Sequence, residues 1–170
     1  MTTKRRTFVA TLDDSPGVLT RVVSLFRRRA FNIISLNVGA THEEGISQMT
    51  LVMEADDDTA GRIVALLEKL VCVLEANDVT EETSVLRDMA LFRVNASLEA
   101  RKRILDICER YSARLVDVGP ETVVVEATGT PDTIAAIFAE LTPYGVKGMV
   151  QSGAVAMTCD PRTAADEKAA

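Results

Sequence analysis

The sequence predicts an α+β protein of two similar units in tandem, each with the element order βαββαβ. Segments rich in β-branched residues, with strand-like alternation, are interspersed with segments whose apolar residues recur at helical spacing. This succession occurs twice, and a polar stretch separates the two copies. The length of 170 residues is consistent with two small domains.

The first unit spans residues 5–80 and begins with an alternating strand, Arg6–Asp13. The apolar residues of the next segment, Val18 to Arg29, follow helical spacing, and its basic end complements the negative end of a helix dipole. Two more strands, Phe31–Ala40 and Ile46–Ala55, are joined by the polar loop THEEG. The remaining elements are the apolar stripe of a second helix and a fourth strand: Ile63, Leu66, Leu67 and Leu70, then Val71–Val79.

The second unit spans residues 89–158 and follows a polar linker at residues 81–88. The order of both units is that of the ferredoxin-like fold. Residues 159–170 are small and polar, and they are predicted to form a flexible tail. The predicted strands are Met89–Ala96, Arg114–Val118, Thr122–Thr128 and Val146–Met157, the last bent at Gly153.

Two helices complete the second unit, over Glu99–Tyr111 and after Thr130. Pro131 marks the start of the second of them, because proline is favoured at the first helical position. Helical spacing also predicts which side chains face the core. These are Ile104, Leu105, Cys108 and Tyr111 in one helix, and Ile134, Ile137, Phe138 and Leu141 in the other.

The charge balance argues against nucleic acid as the main partner, since the formal net charge is −6 and the pI is near 4.9. Aromatic residues make up only 4% of the chain, which leaves little material for base stacking. No apolar run approaches the ~20 residues of a membrane span, and the start of the chain lacks the apolar core of a signal peptide. The expected location is therefore the cytoplasm.

Histidine and cysteine usage argues against a metal centre and against disulfides. The single histidine, His42, falls in the polar loop THEEG, so a histidine-rich site is excluded. The three cysteines, Cys72, Cys108 and Cys159, lie far apart and form no CxxC pair. We expect reduced thiols, with Cys72 and Cys108 at core positions.

The chain carries none of the common catalytic motifs. One loop histidine cannot supply a Ser-His-Asp triad, and the sequence contains neither H-E-x-x-H nor a G-x-x-x-x-G-K-[ST] phosphate loop. No G-x-G-x-x-G follows a strand. The pairs of acidic residues fall at predicted helix starts, where capping explains them. A binding module is therefore favoured over an enzyme.

The entry to the first helix, Asp14-Ser15-Pro16-Gly17, is the strongest candidate for a binding site. The N–H groups of Gly17, Val18 and Leu19 would be the unsatisfied donors of a helix N-terminus, where the dipole also favours a carboxylate. Because Gly17 has no side chain, a ligand can approach its backbone closely. This segment is therefore suited to the acidic end of a small molecule.

The ligand that fits these groups is a zwitterionic amino acid with an apolar side chain. Asp14 would pair with its ammonium group, and Asn32, at the start of the next strand, offers both a donor and an acceptor. Val18, Ile33 and Val38 would contact the apolar side chain. The alternative is purely structural: a helix capped by Ser15, with the following proline at its first position.

The stretch LDDSPGVLTRVVSLFRRRAFNIISLNVGAT resembles the first half of an ACT domain in the family of small, regulatory subunits of acetolactate synthase (acetohydroxyacid synthase). The segments SQMTLV, LEKLVCVLEA, RDMALFRV, RLVDVGPETVVVEATGTPDTIAAI and QSGAVAM resemble further parts of that family, in the same order. The resemblance spans about residues 5–158.

This resemblance implies that the first unit is an ACT domain and that the chain is a non-catalytic regulatory subunit. Such a subunit binds and activates the large catalytic subunit, and it mediates feedback inhibition by valine or another branched-chain amino acid, leucine or isoleucine. The large subunit would carry thiamine diphosphate, magnesium and FAD, and this chain no cofactor.

The resemblance also implies a homodimer or a larger assembly, with the effector bound between the loop of one protomer and the second strand of the other. Carried over to this sequence, the effector-binding residues are Asp14, Gly17, Val18, Asn32 and Ile33, and the helix entry adds Ser15 and Pro16. The family usually has Asn at the position of Asp14, so this chain places an additional negative charge at the expected site.

Two other functions use the same fold. A free-standing ACT-type amino-acid sensor would control another enzyme or a transcription factor. An RNA-binding βαββαβ module would need a basic face and aromatic side chains exposed on its central strands, where Phe8 and Phe92 lie. The acidic balance of the chain argues against the RNA-binding module.

Overall fold

The computed structural model describes residues 3–82 and 84–159 and divides the chain into two compact units. The first unit contains the described residues up to Val85 and those from Val155 onward, and the second unit is Leu86–Ala154. Each unit has its own cluster of buried apolar side chains. The tail predicted at residues 159–170 lies outside the described residues from position 160.

The first unit forms a four-stranded antiparallel sheet with two helices. In chain order its elements are β1 (Lys4–Asp13), α1 (Val18–Arg28), β2 (Ile33–Ala40), β3 (Ile46–Ala55), α2 (Asp57–Leu67) and β4 (Val73–Asp78). The strands lie side by side in the order β2-β3-β1-β4, so β2 is an edge strand. The predicted order βαββαβ is therefore confirmed for this unit.

One face of this sheet is covered by the two helices. The inward residues of β1 alternate along the strand, as the two-residue period requires, and Phe8 is completely buried. α1 contributes Val22 and Phe26 to the same core, and α2 contributes Ile63 and Leu67. α2 begins where the Asp56 carboxylate accepts a hydrogen bond from the Thr59 N–H at 2.8 Å, which lowers the pKa of that carboxyl group.

The second unit repeats this plan. Its elements are β5 (Ser84–Asn95), α3 (Leu98–Arg110), β6 (Arg114–Val118), β7 (Thr122–Gly129), α4 (Pro131–Leu141) and β8 (Val146–Gln151). Its sheet has the order β6-β7-β5-β8. The Thr130 side chain caps α4 by accepting from the Thr133 N–H, with Pro131 in the first turn as predicted. Burial of the Cys108 side chain raises the pKa of its thiol.

The start of β5 differs from the prediction. The strand begins at Ser84, so five of the eight residues predicted as a linker, 84–88, are strand. The polar composition of these residues did not indicate a strand, because the acidic residue Asp88 occupies an inward position. Asp88 is buried but satisfied, since it accepts hydrogen bonds from the Gln151 amide and, at 3.1 Å, from the Ser152 hydroxyl.

The last predicted strand, Val146–Met157, consists of two strands. β8 ends at Gln151, and a separate strand, β9 (Val155–Thr158), follows. The chain bends at Gly153, whose φ of 83° is one that glycine adopts without strain. β9 pairs with β5, and it groups with the first unit, as do the first two residues of β5. The sequence correctly predicted the bend but not the division into two strands.

Two predictions about the helix faces of the second unit are wrong. Leu105 is 46% exposed and Phe138 is 40% exposed, whereas Ile107 is buried. The buried side of α3 is centred on Ile104, Ile107 and Cys108, which places Leu105 on the flank of the helix. Among the described residues, none of the helices is long and apolar enough to span a membrane.

Candidate effector-binding site

The loop between β1 and α1 is held by backbone hydrogen bonds rather than by a side-chain cap. The Ser15 N–H donates to the Asp13 carbonyl at 3.0 Å, and the Val18 N–H donates to the Ser15 carbonyl at 3.3 Å. α1 begins at Val18 with Gly17 at the capping position, and no side chain caps it. The alternative of a helix capped by Ser15 is therefore wrong: the main-chain oxygen of Ser15 is used instead of its hydroxyl.

Gly17 fixes the conformation of this entry. Its φ of 87° lies in the left-handed region, and a Cβ placed there would meet no atom within 4 Å. Its carbonyl accepts from the Arg21 N–H at 3.1 Å, which closes the first turn of the helix. Within the described part of the chain, the N–H groups of Gly17 and Leu19 have no acceptor, whereas the prediction of a free N–H is wrong for Val18, which donates to Ser15. These are the free donors that a carboxylate would use.

Asp14 is exposed, and its carboxylate forms no ion pair within residues 3–82 and 84–159. Its N–H donates to the Gly45 carbonyl at 2.8 Å, so the loop between β2 and β3 positions the residue. The sequence analysis did not identify Gly45, which has a φ of 79°. A glycine after two acidic residues in a hairpin was the available signal for this turn.

Asn32 and Ile33 lie at the opposite end of α1. Asn32 is exposed and immediately precedes β2, whereas Ile33 is partly buried against the core of the first unit. β2 has only one neighbour in the sheet of this unit, β3. Two of its large apolar side chains, Ile34 and Val38, are 43% and 40% exposed. Of the side chains predicted to contact an apolar effector, Val38 is therefore accessible, whereas Val18 is buried in the core of the first unit and the prediction for it is wrong.

The strand register separates the two parts of the predicted site. Asp13 pairs with Ile46 at one end of β3, whereas Ile33 pairs with Met53 near the other end. The two paired positions are seven residues apart along β3. At about 3.3 Å per residue, this is roughly 23 Å. A single chain therefore does not bring the Asp14–Val18 loop and the Asn32–Ile33 segment together.

The described residues contain no cluster suited to binding a metal ion, and they do not expose the aromatic side chains expected of an RNA-binding sheet. No group of three potential metal ligands occurs among them, and the His42 side chain is 91% exposed beside Glu43. Phe8 and Phe92, which an RNA-binding sheet would expose, are both completely buried. The two aromatic side chains that the RNA-binding alternative requires on an exposed sheet face are therefore not available to stack on bases.

The fold and the helix-entry site define a tandem α+β protein of the ACT type. A family model described as an AHAS small subunit-like ACT domain matches residues 9–75, and one described as the small subunit of acetolactate synthase matches residues 87–160. The chain belongs to the acetolactate synthase small-subunit family.

Whole-chain comparisons agree with this assignment. The acetolactate synthase small subunit of Mycolicibacterium smegmatis is 41% identical over 160 residues, which cover 94% of each chain. The probable small subunit of Archaeoglobus fulgidus is 39% identical over 153 residues, 90% of this chain and 96% of that one. The crystal structure of the Thermotoga maritima small subunit superposes with a TM-score of 0.84 at 29% identity, covering 92% of this chain and 98% of that one.

Proposed function

We propose that this chain is the regulatory subunit of a cytoplasmic acetolactate synthase in branched-chain amino acid biosynthesis. It binds the large catalytic subunit and raises its activity, and it mediates feedback inhibition by valine or another branched-chain amino acid. Membership of the small-subunit family supports the regulatory role. The free donors at the entry to α1 support an amino acid as the effector.

The observation that carries the proposal is the distance between the two segments of the predicted site. We call these segments, Asp14–Val18 and Asn32–Ile33, the two half-sites. A site made from both needs two copies of the chain, and the edge strand β2 offers a way to join them. If β2 pairs with β2 of a second copy around a two-fold axis, the strands run antiparallel. The start of one β2 then lies at the end of the joined sheet where the other copy has its Asp14–Val18 loop. Two equivalent sites result.

Each group at this site has a partner on a zwitterionic amino acid. The Gly17 and Leu19 N–H groups and the positive end of the α1 dipole would bind the carboxylate. The Asp14 carboxylate would bind the ammonium group, and Asn32 of the other copy would complete the polar contacts. Ile33 offers an apolar contact to a branched side chain.

Regulation follows from linkage. If the effector binds more tightly to the low-activity arrangement of the complex, it shifts the population towards that arrangement. A coupling of about 1–3 kcal/mol between effector and catalytic subunit changes the coupled binding equilibrium about 5- to 150-fold. In this proposal the thiamine diphosphate, magnesium and FAD belong to the catalytic subunit, and this chain carries no catalytic group.

Calorimetric titration of the purified chain with valine tests the site. We expect saturable binding that Asn32→Ala abolishes and that Asn77→Ala retains, because Asn77 is an exposed amide on the opposite edge strand, β4. Leucine and isoleucine titrations rank the effectors. Retention of full affinity by Asn32→Ala would contradict the assignment of the second half-site.

A reconstituted acetolactate synthase assay separates the proposal from its alternative, a free-standing amino-acid sensor that controls another enzyme or a transcription factor. The chain is added to the large catalytic subunit from the same source, with and without valine. Stimulation that valine reverses supports the regulatory subunit. Valine binding without any effect on the catalytic subunit supports the free-standing sensor.

A further inference from the structure

The solvent side of α1 carries a run of positive charge. The helix sequence VLTRVVSLFRR contains three arginines and no acidic residue. Arg21, Arg27 and Arg28 are exposed and line one shallow depression of about 400 Å³. We call these three side chains the α1 arginine face. The remaining residues of the depression are Thr20, Ser24 and Leu70.

None of these arginines has an acidic partner among residues 3–82 and 84–159, where the basic members of the ion pairs are Lys4, Arg6, His42, Arg110 and Arg114. The helix dipole accounts for two of the three cations, because basic residues in the last turn complement its negative end.

Arg21 has no such explanation. It lies one turn from the helix start, near the positive end of the dipole, where a cation is disfavoured. Because its guanidinium is exposed and has no acidic partner within the described chain, its charge does not stabilise the fold. The Arg21 guanidinium is therefore free to pair with an acidic group outside the chain.

An apolar pair lies on the same helix. Leu19 and Val23 are one turn apart and are 44% and 40% exposed. Helical spacing puts them on one flank of the solvent side and Arg21 and Arg28 on the other. Arg27 lies between the two flanks, one turn after Val23. A binding surface between proteins commonly combines apolar contacts with arginines, which are enriched among the residues that dominate binding energy. A small free anion would make no use of the apolar pair.

The charge of the rest of the chain indicates that the surface of the partner is negatively charged. The chain has 25 acidic residues against 19 lysines and arginines, so a concentration of arginines is a local exception in an acidic molecule. An acidic surface that carries an apolar patch would be attracted to this face and oriented by it.

We infer that the α1 arginine face, with Leu19 and Val23 beside it, is the surface by which this chain docks onto an acidic, partly apolar surface of the large catalytic subunit. This inference rests on the proposed function and adds the location and charge of the contact. α1 also begins at the Gly17 entry, so the same rigid helix joins the predicted effector site to the docking surface.

Two matched double variants test the surface. Arg21→Glu/Arg28→Glu reverses the charge of the α1 arginine face, and Lys102→Glu/Arg103→Glu makes the same charge change at exposed positions on α3. Biolayer interferometry then measures the Kd of each variant for the catalytic subunit at low and moderate salt. We expect the α1 variant to bind at least about tenfold more weakly, mainly through slower association, with less dependence on salt. The α3 variant stays within about twofold of the native chain.

The remaining outcomes would contradict either the proposed function or the docking surface alone. If the native chain does not bind the catalytic subunit, the proposed function fails and the docking surface fails with it. If the native chain binds and the α1 variant binds equally well, only the docking surface is wrong. It is also wrong if the α1 variant changes self-association instead, since the face is then a contact between copies. Circular dichroism and the single variant Arg28→Glu distinguish loss of contact from loss of fold.

Discussion

At the scale of single residues, the backbone of Gly17 decides whether the helix entry can form. Its φ of 87° is costly for any residue with a Cβ, although space for that Cβ is open. We expect Gly17→Ala to lower the free energy of unfolding by about 1–2 kcal/mol, the cost of the left-handed conformation. Chemical denaturation of the native and variant chains measures this difference.

Gly61 provides the control for this prediction. It lies within α2, its φ is not positive, and a Cβ there would also meet no atom within 4 Å. Gly61→Ala is therefore expected to stabilise the chain by about 0.5–1 kcal/mol. Alanine adopts the helical conformation of this position without strain, and it lowers the conformational entropy of the unfolded chain. Equal effects from the two substitutions would show that the conformation of Gly17 does not matter for stability.

At the scale of elements, β9 pairs with β5 and also exchanges hydrogen bonds with two side chains of β3. The Thr50 hydroxyl oxygen accepts from the Ala156 N–H at 3.2 Å, and the Gln48 amide donates to the Ala156 carbonyl at 3.1 Å. Thr50 and Ala156 are both buried. Thr50→Val keeps the shape of the side chain but leaves a buried N–H without its acceptor, which costs about 1–3 kcal/mol.

Hydrogen exchange of the amides of β9, followed by mass spectrometry, checks this prediction. In Thr50→Val we expect exchange in residues 155–158 to become roughly tenfold faster or more, because the loss lowers the free energy of local opening. Thr11→Val on β1 is the control, since no hydrogen bond of its side chain is found in the described part of the chain. Unchanged exchange in β9 would show that its attachment does not depend on Thr50.

The elements themselves were largely predictable from sequence, and the exceptions have physical causes. β3 and β6 have the predicted bounds because alternation and turn residues define both ends. β5 starts earlier than predicted because a hydrogen-bonded acid occupies one of its inward positions. The attachment of β9 to Gln48 and Thr50 is a contact between residues more than one hundred positions apart, which no local pattern encodes.

At the scale of the whole molecule, the local chemistry of the sequence marks the residues of the candidate site, whereas their placement on two different protomers is implied only by the family resemblance. The seven predicted residues fall in two segments, and the local chemistry of each segment suits one part of an amino acid ligand. Which segment meets which depends on strand register, and the register of β1 and β2 against β3 places them at opposite ends of the sheet. A site that uses both segments therefore requires more than one chain.

This geometry links effector binding to self-association. If valine binds only between two copies, it must stabilise the pair by the same free energy with which the pair enhances valine binding. Valine at about one hundred times its Kd would tighten self-association roughly a hundredfold for each site that a single chain lacks. Sedimentation velocity over a range of protein concentrations, with and without valine, measures this effect.

Asn32→Ala should remove the dependence on valine while leaving self-association without valine unchanged, because its exposed side chain lies before β2 rather than within it. Asn77→Ala on the opposite edge strand should respond to valine as the native chain does. Saturable valine binding that leaves the self-association constant unchanged would mean that each copy binds valine independently. The effector would then have to bind within one chain, at the entry to α1 alone.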